Sequence, residues 1–416
     1  MADPAAARPE VSVVLPCLNE ARTVATCVEK ASASLRSMGV VHEVVVADNG
    51  STDGSQELAL AAGARVVHVA RRGYGAALRT GIAEARGRYV LMADADDSYA
   101  LHDCAPFVLA LRGGGGLVMG NRFAGGIEPG AMPPLHRYLG NPVLSFVGRL
   151  FFRIPVRDFH CGMRAFDRDK AVALDLRSSG MEFASELVVK FALAGHQVTE
   201  VPTSLSKDGR DRPPHLRSWR DGWRHLRFLL LFSPRWLFLY PGALLSVLGA
   251  LLTARLALGP LSVGPAVLDI QSMLFASAAV VIGVQALLLA VLSRTYASMR
   301  GMLPPSRQLQ HVSHPQALEW GVAAGLLLLL GGITGVAVAV TSWASGDFGP
   351  LDVSDSMRLA IPSALCLSVG AEVLMASFFI GLLHLDADMD ADLGADLPAT
   401  QQVHPRLGAT AEESRP

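Results

Sequence analysis

The 416-residue sequence is short of charge, and the shortage is concentrated in its second half. Charged residues make up 18% of the chain, whereas soluble domains usually carry about 25%. Only seven of the 36 lysines and arginines lie beyond position 235, and the net charge is −1. The first half is therefore a charged globular domain, and the second is mostly lipid-soluble. This distribution excludes a fully soluble enzyme, a disordered protein and a nucleic-acid binder that depends on net positive charge.

Paired cysteines, clustered histidines and an N-terminal apolar stretch are also missing. The five cysteines form no C-x-x-C pair, which argues against a disulfide framework or a cysteine zinc site, and the histidines show no H-x-x-x-H spacing. Residues 1–10 are rich in alanine and proline and lack the apolar core of a signal peptide. We therefore expect a disordered N-terminus and a globular part that stays in the cytoplasm.

Strand-like and helix-like segments alternate in the first hundred residues. Short apolar runs at 11–16, 42–48, 64–69 and 89–92 predict buried parallel strands, and the stretches at 21–38, 52–62 and 74–85 predict helices. This alternation predicts an α/β domain with a Rossmann-like, mostly parallel sheet. Polar clusters at 19–20, 48–54 and 94–96 follow three of the strands. Since ligands bind beyond the carboxyl ends of such strands, we expect these clusters to line one crevice.

Four long apolar segments follow in the second half. They lie at about 236–255, 272–292, 320–342 and 359–384, and each is long enough to span a bilayer, which predicts an all-α transmembrane domain over 236–385. The 294–319 loop carries three arginines, whereas the 258–271 and 343–357 loops carry only acidic charges. The positive-inside rule then places the globular domain, the 294–319 loop and the C-terminus on the cytoplasmic side of an inner or plasma membrane. The acidic tail at 386–416 is predicted to be disordered.

Glu372 lies within the fourth apolar segment. An ionisable side chain inside a membrane span is usually functional or is bonded to another helix. The sequence leaves open whether Glu372 belongs to a transport pathway or makes an interhelical hydrogen bond.

Residues 215–235, between the two halves, predict an amphipathic helix. Tryptophans and leucines share one face and arginines share a neighbouring one, at Trp219, Trp223, Leu226 and Leu230 and at Arg217, Arg220, Arg224 and Arg227. Such a helix is suited to lie in a membrane surface, with arginines toward anionic headgroups. The alternative is a basic helix packed on its own domain.

The motifs of the first half resemble those of the family 2 glycosyltransferases with a GT-A fold. They are VSVVLPCLNE, VVVADNGSTDGS and YVLMADADDSY, in that order. The later motifs GNRF, DFHCGMRAF and MEFASEL, followed by membrane-anchoring segments, resemble the branch that makes polyprenyl-phosphate sugars, such as dolichol-phosphate mannose synthase and bacterial undecaprenyl-phosphate glucosyltransferases. The motifs cover roughly residues 11–235, and the GT-A domain is expected at 11–214. The resemblance implies inverting transfer of a hexose from GDP-mannose or UDP-glucose to dolichyl or undecaprenyl phosphate.

Asp94-Ala95-Asp96 matches the D-x-D element of that family, which implies a Mg²⁺ or Mn²⁺ site at Asp94 and Asp96. Carboxylates at a strand end can hold a divalent ion that neutralises the diphosphate while leaving positions open for phosphate oxygens and water. The alternative is a solvated acidic turn or a helix cap. The role of Asp97 stays undecided.

The resemblance also implies a nucleotide-binding set after the first three strands: Pro16, Asn19, Glu20, Asp48 and Gly73. Asp48 has a structural alternative, because a carboxylate in a D-N-G-S-T-D-G segment can simply accept turn amides. Gly73 precedes a helix whose first amides are able to meet phosphate. Its alternative is an ordinary turn glycine.

Arginines and glutamates make up the rest of the implied site. Arg122 and Arg164 match catalytic arginines that face phosphates, and their alternative is ion pairing with carboxylates of the domain. Glu182 and Glu186 are implied on the acceptor side, where they bind sugar hydroxyls or hold arginines. Arg210 and Arg212 are implied to engage the lipid phosphate or the donor diphosphate, with a solvated charge run as the alternative.

A phosphate acceptor removes the need for a catalytic base. The second pKa of a phosphomonoester is about 6, so the acceptor is already a nucleophile near neutral pH. The competing interpretations are a hydroxyl-directed membrane glycosyltransferase of polysaccharide or glycolipid synthesis, and a non-catalytic scaffold or translocator. The Q-x-x-R-W motif of processive enzymes is missing, and the intact D-x-D argues against a degenerate domain. A homo-oligomer is left open.

Overall fold

The computed structural model describes residues 8–209, 218–304 and 315–395. These residues belong to two compact units, Met1–Ser233 and Pro234–Pro416. Arg210 and Arg212, most of the N-terminal segment expected to be disordered, and the tail beyond residue 395 lie outside the described residues.

The first unit is built on a seven-stranded sheet in the order β3-β2-β1-β4-β6-β5-β7. β6 runs antiparallel to β4 and β5, and the other neighbouring strands are parallel. The mostly parallel sheet is therefore confirmed, and the four strands expected from the sequence lie within one residue of their predicted ends. The strands are β1 Val11–Cys17, β2 His42–Asp48, β3 Arg65–His68, β4 Tyr89–Met92, β5 Leu117–Asn121, β6 Arg164–Asp167 and β7 Val198–Pro202.

Helices cover both faces of this sheet. Val13 and Leu15 of β1 point into one hydrophobic core and Val14 points into a second, so the strand is buried on both sides. Burial on both faces explains why the strands appear as continuous apolar runs in the sequence. The helices are α1 Val24–Ser37, α2 Ser55–Ala61, α3 Tyr74–Glu84, α4 Ala105–Arg112, α5 Arg122–Gly125, α6 Asn141–Phe152, α7 Arg168–Ala173, α8 Phe183–Leu193 and α9 Ser218–Leu231.

The second unit contains four long apolar helices, as predicted. Each is long and apolar enough to cross a membrane, over Arg235–Ala257, Ile270–Met299, Leu318–Ser345 and Val353–Leu383. They belong to α10 Tyr240–Ala257 with a preceding π-helical turn, α11 Ile270–Met299, α12 Pro315–Ser345 and α13 Val353–Ala395, and a hairpin of β8 Leu261–Val263 and β9 Ala266–Leu268 joins the first two. Pro241 lies in the first turn of α10, where a proline removes no helical hydrogen bond. α13 continues to Ala395, past residue 385 where disorder was expected to begin.

Close contacts and a polar pair join these helices. A Cβ atom on Gly242 would lie 2.8 Å from the carbonyl oxygen of Gly283, so the glycines allow α10 and α11 to approach closely. Gln285 Nε2 of α11 donates a 2.9 Å hydrogen bond to Glu372 Oε1 of α13. Of the two roles left open for Glu372, the structure therefore shows the interhelical hydrogen bond.

Candidate active site

A cavity of about 850 Å³ lies at the carboxyl ends of β1, β2 and β4 in the first unit. Seven of the residues implicated by sequence line it, whereas Asp48, Arg164, Glu182 and Glu186 do not. The parallel register explains the convergence, because Cys17 pairs with Asp48 and Val14 pairs with Met92, so that the three strands end at one edge. The seven lining residues are Pro16, Asn19, Glu20, Gly73, Asp94, Asp96 and Arg122.

Asp94 and Asp96 are both held in place by neighbouring groups. The hydroxyl of Tyr74 donates a 3.0 Å hydrogen bond to Asp94 Oδ1. Asp96 Oδ1 accepts hydrogen bonds from the backbone amide (3.1 Å) and the hydroxyl (2.6 Å) of Ser98. A Cβ atom on Gly162 would lie 2.8 Å from Asp94 Oδ2, so the glycine preserves the space around this oxygen. Both carboxylates are therefore preorganised at the cavity wall.

The two carboxylates fit a hard divalent cation held from one side. Within the described ranges, no group of three histidine, cysteine, aspartate or glutamate side chains forms a metal cluster. Two carboxylates alone would leave most positions of a six-coordinate Mg²⁺ or Mn²⁺ to water and diphosphate oxygens, which is the usual arrangement for a metal that works with a phosphate substrate. The donor set therefore agrees with the implied metal site.

Asp97, whose role the sequence left undecided, is part of an ion pair. Its backbone is left-handed, with φ of 60°. Lys30 Nζ lies 2.7 and 2.8 Å from its two carboxylate oxygens. Asp97 thus ties the following turn to α1.

Asp48 is fully buried, and its carboxylate bonds to groups of the segment that follows it. Its carboxylate accepts hydrogen bonds from the amides of Gly50 (3.0 Å) and Ser51 (3.1 Å) and from Gln56 Nε2 (2.7 Å). This is the structural alternative foreseen for a carboxylate in that sequence. The neighbouring Asn49, which belongs to the 48–54 cluster expected at the crevice but was given no role of its own, lines the cavity instead.

Asn49 and Asn19 hold together loops that line the cavity. Asn49 donates to the carbonyl of Arg71 (2.9 Å) and accepts from the amide of Gly73 (2.7 Å). Asn19 accepts a 2.8 Å hydrogen bond from the amide of Thr52. The loops after β1, β2 and β3 are therefore joined by side-chain amides.

Gly73 is required by its surroundings. Its φ is 139°, and a Cβ atom would lie 2.2 Å from the carbonyl oxygen of Ser179. The glycine thus allows the start of α3 to pack against the loop before α8. That loop also contributes Gly180 and Met181 to the cavity wall.

The two implicated arginines differ in position. Arg122 lines the cavity, and its Nε and Nη2 atoms contact the buried Asp158 carboxylate at 2.7 and 2.8 Å. Arg164 is fully buried and donates to the backbone carbonyls of Cys161, Phe159 and Ala184. Burial lowers the pKa of Arg164 below its usual range. Arg164 therefore supports the loop that carries His160. Arg122 makes the ion pair that was given as its alternative role.

The two glutamates support the loop at 177–180. Glu186 accepts hydrogen bonds from the amides of Arg177 (2.9 Å) and Ser178 (2.7 Å) and lies 3.0 Å from Lys190 Nζ. Although burial opposes ionisation, these contacts hold the pKa of Glu186 below its usual value. Glu182 Oε1 accepts a 3.3 Å hydrogen bond from the amide of Gly180. Neither glutamate reaches the wall of the cavity.

Five aromatic or histidine side chains at the cavity were not expected from the sequence: Tyr74, Tyr99, His136, His160 and His225. The hydroxyl of Tyr99 accepts a 2.7 Å hydrogen bond from the amide of Gly162. His160 lies inside the DFHCGMRAF motif, which was the available signal. Nothing in the sequence spacing brings His225 of α9 next to His160, because only the packing of α9 does so.

Comparison with known proteins finds a family match for each of the two units. Residues 12–174 match the model of glycosyl transferase family 2, and residues 291–384 match that of the glycosyltransferase family 2 C-terminal transmembrane region. The low-salt glycan biosynthesis hexosyltransferase Agl6 of Haloferax volcanii is 34% identical over 379 residues, which cover 90% of this chain and 89% of that protein.

A shorter relative and a solved structure are also similar. The dolichyl-phosphate hexose transferase of Haloferax volcanii is 31% identical over 161 residues, covering 38% of this chain and 68% of that protein. The structure of glucosyl-3-phosphoglycerate synthase from Mycobacterium tuberculosis, with Mn²⁺, uridine diphosphate and phosphoglyceric acid, has a TM-score of 0.41 at 24% identity, over 55% of this chain and 79% of that one.

The family assignment rests on the relative that matches along nearly the whole chain and on the two family models. The first unit has the GT-A fold, and the second is the membrane region of an integral membrane protein. The chain belongs to glycosyltransferase family 2 and is a membrane glycosyltransferase.

Proposed function

We propose that the protein transfers a hexose, with inversion, from GDP-mannose or UDP-glucose to a polyprenyl phosphate at the cytoplasmic face of the membrane. The observation that carries this proposal is the composition of the cavity. Its wall contains Asp94 and Asp96 together with arginines of the amphipathic helix α9 and apolar side chains. The relative named as a dolichyl-phosphate hexose transferase supports the same acceptor class.

The acceptor end of the cavity suits a phosphate attached to an apolar chain. Arg220 and Arg224 of α9 line it, one helical turn apart. Met132, Leu144 and Met181 contribute apolar surface to the same cavity. Guanidinium groups bind phosphate through paired N–H donors and keep their charge at any working pH. A sugar hydroxyl acceptor would not need this combination.

The outer surface of α9 supports contact with a bilayer. Trp219 is 80% exposed and Trp223 is 57% exposed, while Phe228 and Leu229 on another side of the helix are buried in the domain. Exposed tryptophans beside arginines are typical of helices that lie at the headgroup level. One face of α9 is thus packed on its own domain, the alternative given for this helix, while its exposed tryptophans support the proposed contact with a bilayer.

The chemistry follows from the charges. An oxygen of the acceptor phosphate attacks the anomeric carbon, the bond from that carbon to the diphosphate oxygen breaks, and the nucleoside diphosphate leaves with the electron pair. No proton has to be removed from the acceptor, since its second pKa is about 6. Mg²⁺ or Mn²⁺ bound by Asp94 and Asp96 would neutralise the charge that develops on the leaving diphosphate. Arg122, whose Nε and Nη2 atoms are paired with Asp158, lines the same cavity.

The test is transfer of radiolabelled sugar by the full-length protein in lipid nanodiscs. Each donor is paired with a short dolichyl or undecaprenyl phosphate, and a chloroform-extractable product that mild acid cleaves is the expected result. Asp96→Ala should abolish labelling, whereas Asp97→Asn should retain it, since Asp97 pairs with Lys30. An acid-stable product would indicate a hydroxyl acceptor. No labelling with any donor, or an active Asp96→Ala variant, would refute the proposal.

A further inference from the structure

A buried serine joins two histidines at the acceptor end of the cavity. Ser185 Oγ of α8 lies 2.9 Å from His225 Nδ1 of α9 and 3.5 Å from His160 Nε2. The two imidazole rings make an edge contact, with centroids 4.6 Å apart. Ser185 is fully buried, and both histidines line the cavity. The group therefore connects α9, α8 and the loop before β6.

The hydrogen-bond chain has only two self-consistent arrangements. The serine hydroxyl has one proton, so when it donates to one imidazole the other imidazole must donate to it. Burial, then His225, Arg164 and Arg122, hold the pKa of His160 well below its usual value, so His160 is neutral and has one N–H and one lone pair. His160 Nδ1 is buried and has no hydrogen-bond partner among the described residues. Ser185 is thus the hydrogen-bonding partner that fixes the His160 ring.

Because His225 lies on α9, the hydrogen bonds among His160, Ser185 and His225 affect the orientation of that helix. His225, Phe228 and Leu229 form the buried side of the helix. Phe228 and Leu229 pack in the hydrophobic core and select the face that α9 buries. The hydrogen bond to Ser185 adds a directional contact on that face and so narrows the rotation at which Arg220 and Arg224 line the cavity.

We propose that His225 is a positioning residue for the anionic acceptor, acting through Ser185 and His160 to hold Arg220 and Arg224 of α9 at the cavity wall. This role rests on the proposed function, in which those arginines meet the acceptor phosphate. It assigns to the His160–Ser185–His225 group an effect on acceptor binding and none on the donor, whose diphosphate end lies at Asp94 and Asp96.

The experiment compares two replacements of His225 in the full-length protein in nanodiscs. The side-chain amide of asparagine can occupy the place of Nδ1, so His225→Asn should keep the bond to Ser185 and a KM for polyprenyl phosphate within about twofold to threefold of wild type. His225→Leu should raise that KM about tenfold, which is the effect of losing about 1.4 kcal/mol of binding. The KM for the nucleotide sugar and kcat should change little. Ser185→Ala should behave as His225→Leu does.

Two further variants separate positioning from a general structural effect. In a chain that already carries Arg220→Ala and Arg224→Ala, His225→Leu should produce no further rise in the acceptor KM. His102→Leu, at an exposed loop histidine, is the control and should match wild type. An equal rise in the donor and acceptor KM values, or an unchanged acceptor KM in His225→Leu, would overturn the proposal.

The experiments distinguish failure of the proposed function from failure of the role proposed for His225. If the wild type uses another acceptor, the proposed function is wrong, and the same comparison made with that acceptor decides the role of His225. Amide hydrogen exchange needs no substrate: α9 should exchange faster in His225→Leu than in His225→Asn. Equal exchange in α9 of both variants would contradict the proposed restraint.

Discussion

The hydroxyl of Tyr74 donates a 3.0 Å hydrogen bond to Asp94 Oδ1 and so joins the first residue of α3 to the first carboxylate of the D-x-D element. Burial, together with the charge of Asp94, raises the pKa of Tyr74 well above its usual value. The tyrosine therefore stays protonated and remains a donor at all working pH values. Asp94 Oδ1 is therefore always the acceptor of this hydrogen bond.

Tyr74→Phe should weaken metal use more than folding. Removing the hydroxyl leaves Asp94 less well oriented, and loss of a group that orients a metal ligand typically lowers affinity or activity about 10- to 100-fold. We expect the Mn²⁺ or Mg²⁺ concentration for half-maximal activity to rise about tenfold, measured by titrating metal into the transfer assay. Tyr138→Phe, at an exposed tyrosine, is the control. An unchanged metal requirement in Tyr74→Phe would contradict this role.

Asp158→Ala should destabilise the first unit strongly. The Asp158 carboxylate is fully buried against Arg122, and breaking a buried pair leaves an uncompensated charge, at a penalty of about 3–5 kcal/mol. The urea midpoint, read by pulse proteolysis of the full-length protein, should fall accordingly. Asp97→Asn removes the charge from the partly exposed pair with Lys30 while tolerating the left-handed backbone, and it should lower stability by about 1 kcal/mol or less. Equal effects of the two substitutions would argue against the buried pair.

Gly209→Ala should shift the backbone at Asp96, the second carboxylate of the D-x-D element. The Gly209 amide donates to the carbonyl of Asp96 at 2.9 Å, and a Cβ atom there would lie 2.6 Å from Thr23 Cγ2. We expect kcat/KM to fall about tenfold, the effect of a barrier higher by about 1.4 kcal/mol. Thr23→Ser removes the methyl group and keeps the hydroxyl that bonds Ala95, so it should restore activity to Gly209→Ala.

A matched glycine gives the control for this prediction. A Cβ atom on Gly113 would make only ordinary 3.5 Å contacts, so Gly113→Ala should leave kcat/KM unchanged. If Thr23→Ser fails to rescue Gly209→Ala, the steric explanation is wrong.

The stability of the first unit should fall below about pH 6.5, the pKa of an unfolded histidine. Burial, His225 and nearby arginines depress the pKa of His160 in the folded protein. Between the two pKa values the unfolded chain binds a proton that the folded chain does not, so stability decreases as pH falls and is fully present above about pH 6.5. His160 alone should contribute a slope of up to about 1.4 kcal/mol per pH unit.

Comparison of wild type with His160→Gln isolates this contribution. Pulse proteolysis in urea at pH 5.5, 6.5 and 7.5 should show a shallower decrease for the variant. The two histidines with similarly lowered pKa values, His136 and His196, are common to both proteins and cancel in the difference. Parallel pH profiles would show that His160 does not titrate with a depressed pKa.

Local pattern was sufficient to predict most of the architecture. The strands at His42–Asp48 and Tyr89–Met92 and the four apolar helices follow from runs of apolar residues whose length and period depend on near neighbours in the chain. The end of the last helix differs from expectation, because the sequence favoured disorder in the acidic tail whereas the helix continues to Ala395.

The site was predicted less completely. The position of Asp94 and Asp96 at a strand end was readable, since a parallel sheet brings strand ends together. The motif at Arg164 was equally visible, yet its guanidinium is buried under the cavity among backbone carbonyls. A motif shows which residues belong near a site, and burial decides which of them face the ligand.

The sequence by itself determined that this protein has an α/β domain and a four-helix membrane region, because those features are written in local composition and spacing. The glycosyltransferase family and its D-x-D element came from the resemblance of its motifs. Only the tertiary structure decided that Asp48 and Glu186 accept backbone amides, that Arg122 pairs with Asp158, and that His225 meets His160 through Ser185. These contacts join residues that are distant in the chain or depend on burial, and burial is a property of the packed fold.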